Sequence, residues 1–147
     1  MLWEVEIRPA AGQVDREGKR VLAECFGLGL QSVSTVEAAR SFILQGELSD
    51  DVVTRISRTL LADGVAESFS IHQLDAAAGG SSNGSNGGQL LNVLFKDGVT
   101  DNVANSALKA MKDQDVSVEA VATCRKYWVN DGASEAEIGR LSAKVLS

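Results

Sequence analysis

Three apolar side chains at the start of the chain, Trp3, Val5 and Ile7, alternate with Glu4, Glu6 and Arg8. That is the period of a strand with one face toward a core and the other toward water. The alternation returns at Leu91, Val93 and Phe95 against Asn92, Leu94 and Lys96. Leu94 stands there in place of Glu6, so the outer face of this strand is greasier and is expected to be covered. Helical spacing follows each strand, at Val21, Leu22, Cys25 and Leu28 and again at Ala104, Ala107, Leu108 and Met111. The second helix is entered through Asp97-Gly98-Val99-Thr100-Asp101, with Thr100 or Asp101 set to accept the unpaired N–H groups of its first turn. The first entry, Pro9-Ala-Ala-Gly12-Gln-Val14-Asp15, is two residues longer, a change that a loop absorbs easily.

The next elements also occur twice. Val36-Glu-Ala-Ala-Arg40-Ser-Phe42-Ile43-Leu44 matches Val121-Ala-Thr-Cys-Arg125-Lys-Tyr127-Trp128-Val129 at an offset of 85 residues. Val53, Ile56, Leu60 and Leu61 match Ile138, Leu141, Val145 and Leu146 at that same offset. These segments predict a strand and then a helix opened by Ser49 or Ser134, with Val53, Ile56 and Leu60, or Ile138, Leu141 and Val145, as the buried stripe. Ser134-Glu-Ala-Glu137 has the capping-box spacing, in which serine and glutamate each satisfy the other's backbone donor. Val65, Phe69 and Ile71 add a third strand to the first copy, whereas the second stops at Ser147, where that segment is due. The expected fold class is α/β, as an α+β two-layer sandwich of two tandem β-α-β-α-β modules, 1–74 and 90–147, the second without its last strand. A fragment of a longer polypeptide is the expected context. Two copies of such length predict paired domains rather than a solenoid, which needs at least about three repeats. Residues 75–89, rich in Gly, Ser and Asn, read as a flexible linker. A coil of that length spans on the order of 20 Å.

Composition narrows the function classes. The chain is 44% hydrophobic, enough for a real core, and carries a net charge of −6. Neither copy is basic: 1–74 holds seven Lys and Arg against eleven Asp and Glu, and 90–147 holds seven against eight. Nucleic acid and anionic membrane are therefore not expected partners. No apolar run nears the roughly 20 residues of a membrane span, and the N-terminus lacks the pattern of a secretory signal. Cys25 and Cys124 fall at unrelated positions of their copies and are expected as buried reduced thiols in a cytoplasmic protein. The linker glycines fit neither phosphate-loop pattern. His72 is a lone strand-edge imidazole, and Glu47, Asp50 and Asp51 sit where a helix start favours negative charge. No catalytic residue, metal ligand or cofactor site is assigned in this chain.

One feature exceeds fold upkeep. Arg40 and Arg125 share a strand face with Phe42 and Tyr127, while Lys126 and Trp128 alternate onto the other face. An arginine beside an aromatic on an apolar face either has an acidic partner or awaits one. The plainer alternative is a packed stem with its head in water at the sheet rim. Arg40, Phe42, Arg125, Tyr127 and Trp128 form the candidate interdomain interface.

Phe95-Lys-Asp-Gly98-Val-Thr-Asp101-Asn, followed by an Ala/Leu helix and the Arg125-Lys-Tyr127 strand, resembles the PurS family. The likeness covers both copies, apart from the linker. The family turn has proline where Asp97 stands, and the first copy keeps only a stretched form of it. Tandem copies resemble the N-terminal region of the large phosphoribosylformylglycinamidine synthases of purine biosynthesis. The resemblance implies a non-catalytic assembly region whose partners are the synthetase and glutaminase domains of an ATP-dependent ligase. ATP and Mg would then belong to the rest of that enzyme. Two other readings differ in class: a tandem ACT-like regulatory module binding a small metabolite, and a small stand-alone enzyme with converging polar groups in a pocket. The missing third strand of the second copy predicts self-association of the chain or capture of a neighbour's strand.

Overall fold

The computed structural model describes residues 1–74, 88–94 and 99–146. The expected linker lies outside the described residues from 75 to 87, as do 95–98 of the expected turn. Among the described residues the elements run β1 (Leu2–Pro9), α1 (Arg16–Gly27), β2 (Val36–Gly46), α2 (Asp50–Ile56), β3 (Glu67–Gln73), β4 (Gln89–Leu94), α3 (Asn102–Asp113), β5 (Val118–Val129) and α4 (Glu135–Lys144). A π-helical turn, Ser57–Leu61, continues α2. The class is α+β, with one five-stranded sheet in the order β3-β1-β2-β5-β4. None of the helices is long and apolar enough to cross a membrane, among the described residues.

Two compact units divide the chain. The first takes the described residues of Met1–Gln13, Arg40–Ser81 and Leu94–Cys124, and the second those of Val14–Ala39, Ser82–Val93 and Arg125–Ser147. Each unit thus draws residues from both halves of the sequence.

In the first unit β1 pairs antiparallel with β2, Val5 opposite Phe42, and with β3, Val5 opposite Ile71. Trp3, Val5, Ile7, Phe42, Leu44, Val53, Ile56, Met111 and Val118 fill its core, each large side chain contributing about 1.5–3 kcal/mol by leaving water. Gly46 lets β2 meet the start of β5, since a Cβ there would lie 2.4 Å from the Ser117 carbonyl oxygen. Alternation assigns Glu4 and Glu6 to a wet face, yet they are only 2% and 1% exposed. Donors compensate for the lost water. Ser41 donates to Glu4 Oε2 at 2.9 Å, and Arg8 Nε lies 3.0 Å from Glu6 Oε2. Period-2 patterning tells which side a residue takes, not whether that side is solvated.

The π-helical turn also departs from the expected stripe. Ser57 Oγ donates to the Val53 carbonyl at 2.7 Å, and the Ala62 N–H reaches the Ser57 carbonyl at 3.0 Å, the i to i+5 spacing. The extra residue turns Leu60 away from the buried line of Val53 and Ile56 to a half-buried position.

The second unit packs α1 and α4 around Val21, Cys25, Leu30, Val36, Tyr127, Val129 and Leu141. Helix α1 ends at Gly27, so Leu28, expected in its buried stripe, caps the helix and is 39% exposed. Ser134 caps α4 as expected, accepting the Glu137 N–H at 3.2 Å. The return half of the capping box is not made. Ser134 N–H donates to Ser32 Oγ at 2.9 Å, while Glu137 Oε1 accepts the Ser32 N–H and hydroxyl at 2.7 and 2.6 Å. A partner 105 residues away displaces the local one. Cys25 and Cys124 are both buried, and neither is in a disulfide.

Candidate functional site

The helix entries come first, because they position everything else. Asp15 caps α1 by accepting the Gly18 N–H at 2.9 Å on Oδ1, and its Oδ2 accepts the Ala38 N–H of β2 at 2.8 Å. Asp101 does the same for α3: Oδ1 accepts the Ala104 N–H at 3.0 Å, and Oδ2 accepts the Thr123 N–H and hydroxyl at 2.9 and 2.7 Å. One carboxylate in each unit therefore closes a helix and fastens it to a strand. Burial would raise the Asp101 carboxyl, but the Ala104 and Thr123 donors outweigh it and hold it below its ordinary range. Of the two caps offered by the sequence, Thr100 or Asp101, the structure takes Asp101.

In the first unit, Arg40 lies beside Phe42 on β2, its guanidinium 5.7 Å from the ring centroid. Its Nε and Nη2 donate to the two carboxylate oxygens of Glu67 at 3.4 and 2.8 Å, a two-point clasp of a planar acid. Nη2 also donates to the Leu61 carbonyl at 3.2 Å, tying off the end of the π-helical turn. Glu67 in turn accepts the Asp63 N–H at 2.9 Å.

In the second unit, Arg125 stands over Tyr127 at 6.0 Å from the ring centroid. Tyr127 donates its hydroxyl proton to Glu17 Oε2 at 2.6 Å and accepts from Arg125 Nη1 at 3.3 Å. Glu17 takes two hydrogen bonds from Arg20, at 2.7 and 2.9 Å, and lies 3.9 Å from Arg125. Those Arg20 bonds, opposed by burial and aided by the Tyr127 hydroxyl, lower Glu17 to about 2. Burial, and then the hydrogen bond to Glu17, push the Tyr127 phenol up to about 12.

A groove of about 440 Å³ opens in the first unit beside Arg40. Arg40 and Phe42 of β2, Leu60 and Leu61 of the π-helical turn, and Asn102, Val103, Ser106, Ala107 and Ala110 of α3 line it. Counting from the capping aspartates, Val103 and Ser106 stand where α1 carries Glu17 and Arg20. The helix that faces Arg40 thus lacks counterparts of Glu17, which accepts from the Tyr127 hydroxyl, and of Arg20, which donates to Glu17.

Of the residues singled out by sequence, Arg40 joins Phe42 in one unit and Arg125 joins Tyr127 in the other. Trp128 alternates to the opposite face of β5 and is 2% exposed. The side chains of Arg40 and Arg125 keep 43% and 50% of their surface in solvent. Sequence reasoning missed Glu17 and Glu67, the acids that answer the two arginines, because each comes from an element remote in the chain. It also missed Asp15 as a cap, although its place before the Val21–Leu22–Cys25 stripe signals it. Among the described residues no group of three or more His, Cys, Asp and Glu side chains is gathered to hold a metal ion. Set against known proteins, the sequence matches no family model and no curated protein.

Proposed function

We propose that this chain is a PurS-like assembly region, the non-catalytic N-terminal part of a cytoplasmic phosphoribosylformylglycinamidine synthase. In this reading it organises the synthetase and glutaminase parts of an ATP-dependent glutamine amidotransfer. The observation that carries the proposal is a duplicated device. An aspartate caps a helix and anchors it to a long strand bearing an arginine and an aromatic, once with Asp15 and once with Asp101. Strand order supports it as well, because β3-β1-β2-β5-β4 sets β1 and β2 of the first copy against β5 and β4 of the second. Covalently joined copies would then stand in for a dimer of single modules.

Sequencing the source reading frame beyond Ser147 tests this. Continuation into an ATP-binding synthetase and a glutaminase is expected, and a frame that holds neither overturns it. The groove beside Arg40 favours a second reading, a regulatory module binding a small metabolite. A thermal-shift screen with amino acids and nucleotides separates the two. The assembly reading expects no saturable stabilisation, whereas a ligand-dependent rise in Tm would favour regulation.

A further inference from the structure

In a chain of net charge −6, the groove of the first unit is lined by one charged side chain among the described residues, and it is a cation, Arg40. All of the lining belongs to that unit. The volume of about 440 Å³ is that of a small-molecule site, which runs from about 300 to 1,000 Å³. Its walls are mostly apolar, with Phe42, Leu60 and Ala107 among them, while Asn102 and Ser106 add an amide and a hydroxyl. A lining with a guanidinium and no acid selects an anion. The walls select an anion with an apolar body.

The donors of Arg40 show what is left for such a ligand. Nε and one hydrogen of Nη2 go to Glu67, and Nη2 also donates to the Leu61 carbonyl. Of the guanidinium donors, the Nη1 pair then remains, with no acceptor among the described residues. The side chain keeps 43% of its surface in solvent, within reach of a diffusing acid. Glu67 already balances the charge, so the apolar body of a ligand would supply most of the affinity.

The second unit displays what the equivalent place accepts. There α1 presents Glu17, whose carboxylate lies 3.9 Å from Arg125 Nη1 and takes the Tyr127 hydroxyl at 2.6 Å. The matching position on α3 is Val103, which is 57% exposed and brings no carboxylate. We propose that the groove binds a small monocarboxylic acid with an apolar body, its carboxylate on Arg40 Nη1 as Glu17 is on Arg125. This inference rests on the second reading above, regulation by a metabolite, and names the chemical class of that metabolite.

Titration of the full chain with 3-phenylpropionate, followed by calorimetry and amide chemical shifts, tests it. Saturable binding is expected, with a Kd of about 1 mM or tighter. The shifts are expected to centre on 40–42, 60–61 and 102–110. The neutral isostere 3-phenylpropanamide is expected to bind at least about tenfold more weakly. Replacing Arg40 would also release Glu67 and Leu61, so Val103 carries the mutational test. Val103→Glu tethers an acid beside Arg40 and is expected to weaken binding at least about tenfold, whereas Val103→Gln weakens it less than about threefold. Equal binding of acid and amide overturns the acid class and leaves the regulatory reading standing. Binding that Val103→Glu does not weaken, or shifts centred on Arg125 and Tyr127, overturns the proposal by placing the site elsewhere. So does the absence of saturation with the acid up to about 20 mM. The regulatory reading falls with it only if the screen of amino acids and nucleotides is silent as well.

Discussion

Arg40 and Arg125 occupy equivalent places on the two long strands, yet each is neutralised from a different direction. Arg40 meets Glu67, brought by strand β3, and Arg125 meets Glu17, brought by helix α1 through the hydroxyl of Tyr127. Where the acid comes from a strand, the opposing helix α3 is free to carry Val103, Ser106 and Ala107, and a groove opens. Where the acid comes from a helix, the helix is held over the ring. Both arginines satisfy the same electrostatic requirement, and the element that answers it decides whether a surface is open or closed.

The comparison breaks most severely if the rings are removed. Phe42→Ala and Tyr127→Ala each delete a core aromatic and are expected to cost about 3–5 kcal/mol, read by urea unfolding. Tyr127→Ala is expected to be the worse of the two, since it also strips a hydrogen bond from Glu17.

A milder change makes the second site resemble the first. Tyr127→Phe keeps the ring and removes the hydroxyl, and is expected to cost about 1–2 kcal/mol through the lost bond to a charged acceptor. In the parent chain the phenol absorbance at 295 nm is expected to titrate near 12, because burial and the Glu17 bond favour the neutral form. Stability from this group is complete below the ordinary tyrosine value near 10 and is lost as pH rises through 12.

Acid reads the same site from the other side. Glu17 titrates at about 2 in the folded chain against 4.5 for the free group. Its contribution is therefore present above about 4.5 and lost as pH falls toward 2. Glu17→Gln is expected to lower Tm at pH 7, with the gap to the parent chain closing as pH falls through that window. Solvent reaches 39% of the Glu17 side chain, so the effect is expected to stay under about 1 kcal/mol. Smallest of all is a graft. Phe42→Tyr and Val103→Glu together place a hydroxyl and an acid beside Arg40, and a double-mutant cycle is expected to show coupling of about 0.5 kcal/mol.

How far such sites can be seen in advance differs by element. The strands β1 and β2, the stripe on α3 and the Asp101 cap were legible, because each rests on local spacing within a few residues. The pairing of Arg40 with Glu67, 27 residues away, was not, since spacing does not say which acid reaches an arginine across a sheet. The burial of Glu4 and Glu6 was hidden for a related reason, as alternation is blind to what covers the second face. Glu137 shows the limit most plainly. Its spacing from Ser134 fitted a capping box, but Ser32 offered two donors where the box offers one.

The way the two cores are built also governs how the gene can be divided. One core sets Trp3, Phe42 and Ile56 with Met111 and Val118, and the other sets Val21 and Cys25 with Tyr127 and Leu141. If the coding sequence were cut between codons 74 and 88, each product would carry part of both cores and the whole of neither. Each half would leave apolar core surface uncovered until the other met it, so the two would be needed together and in equal amounts. Sequence duplication has here produced two complements, not a spare.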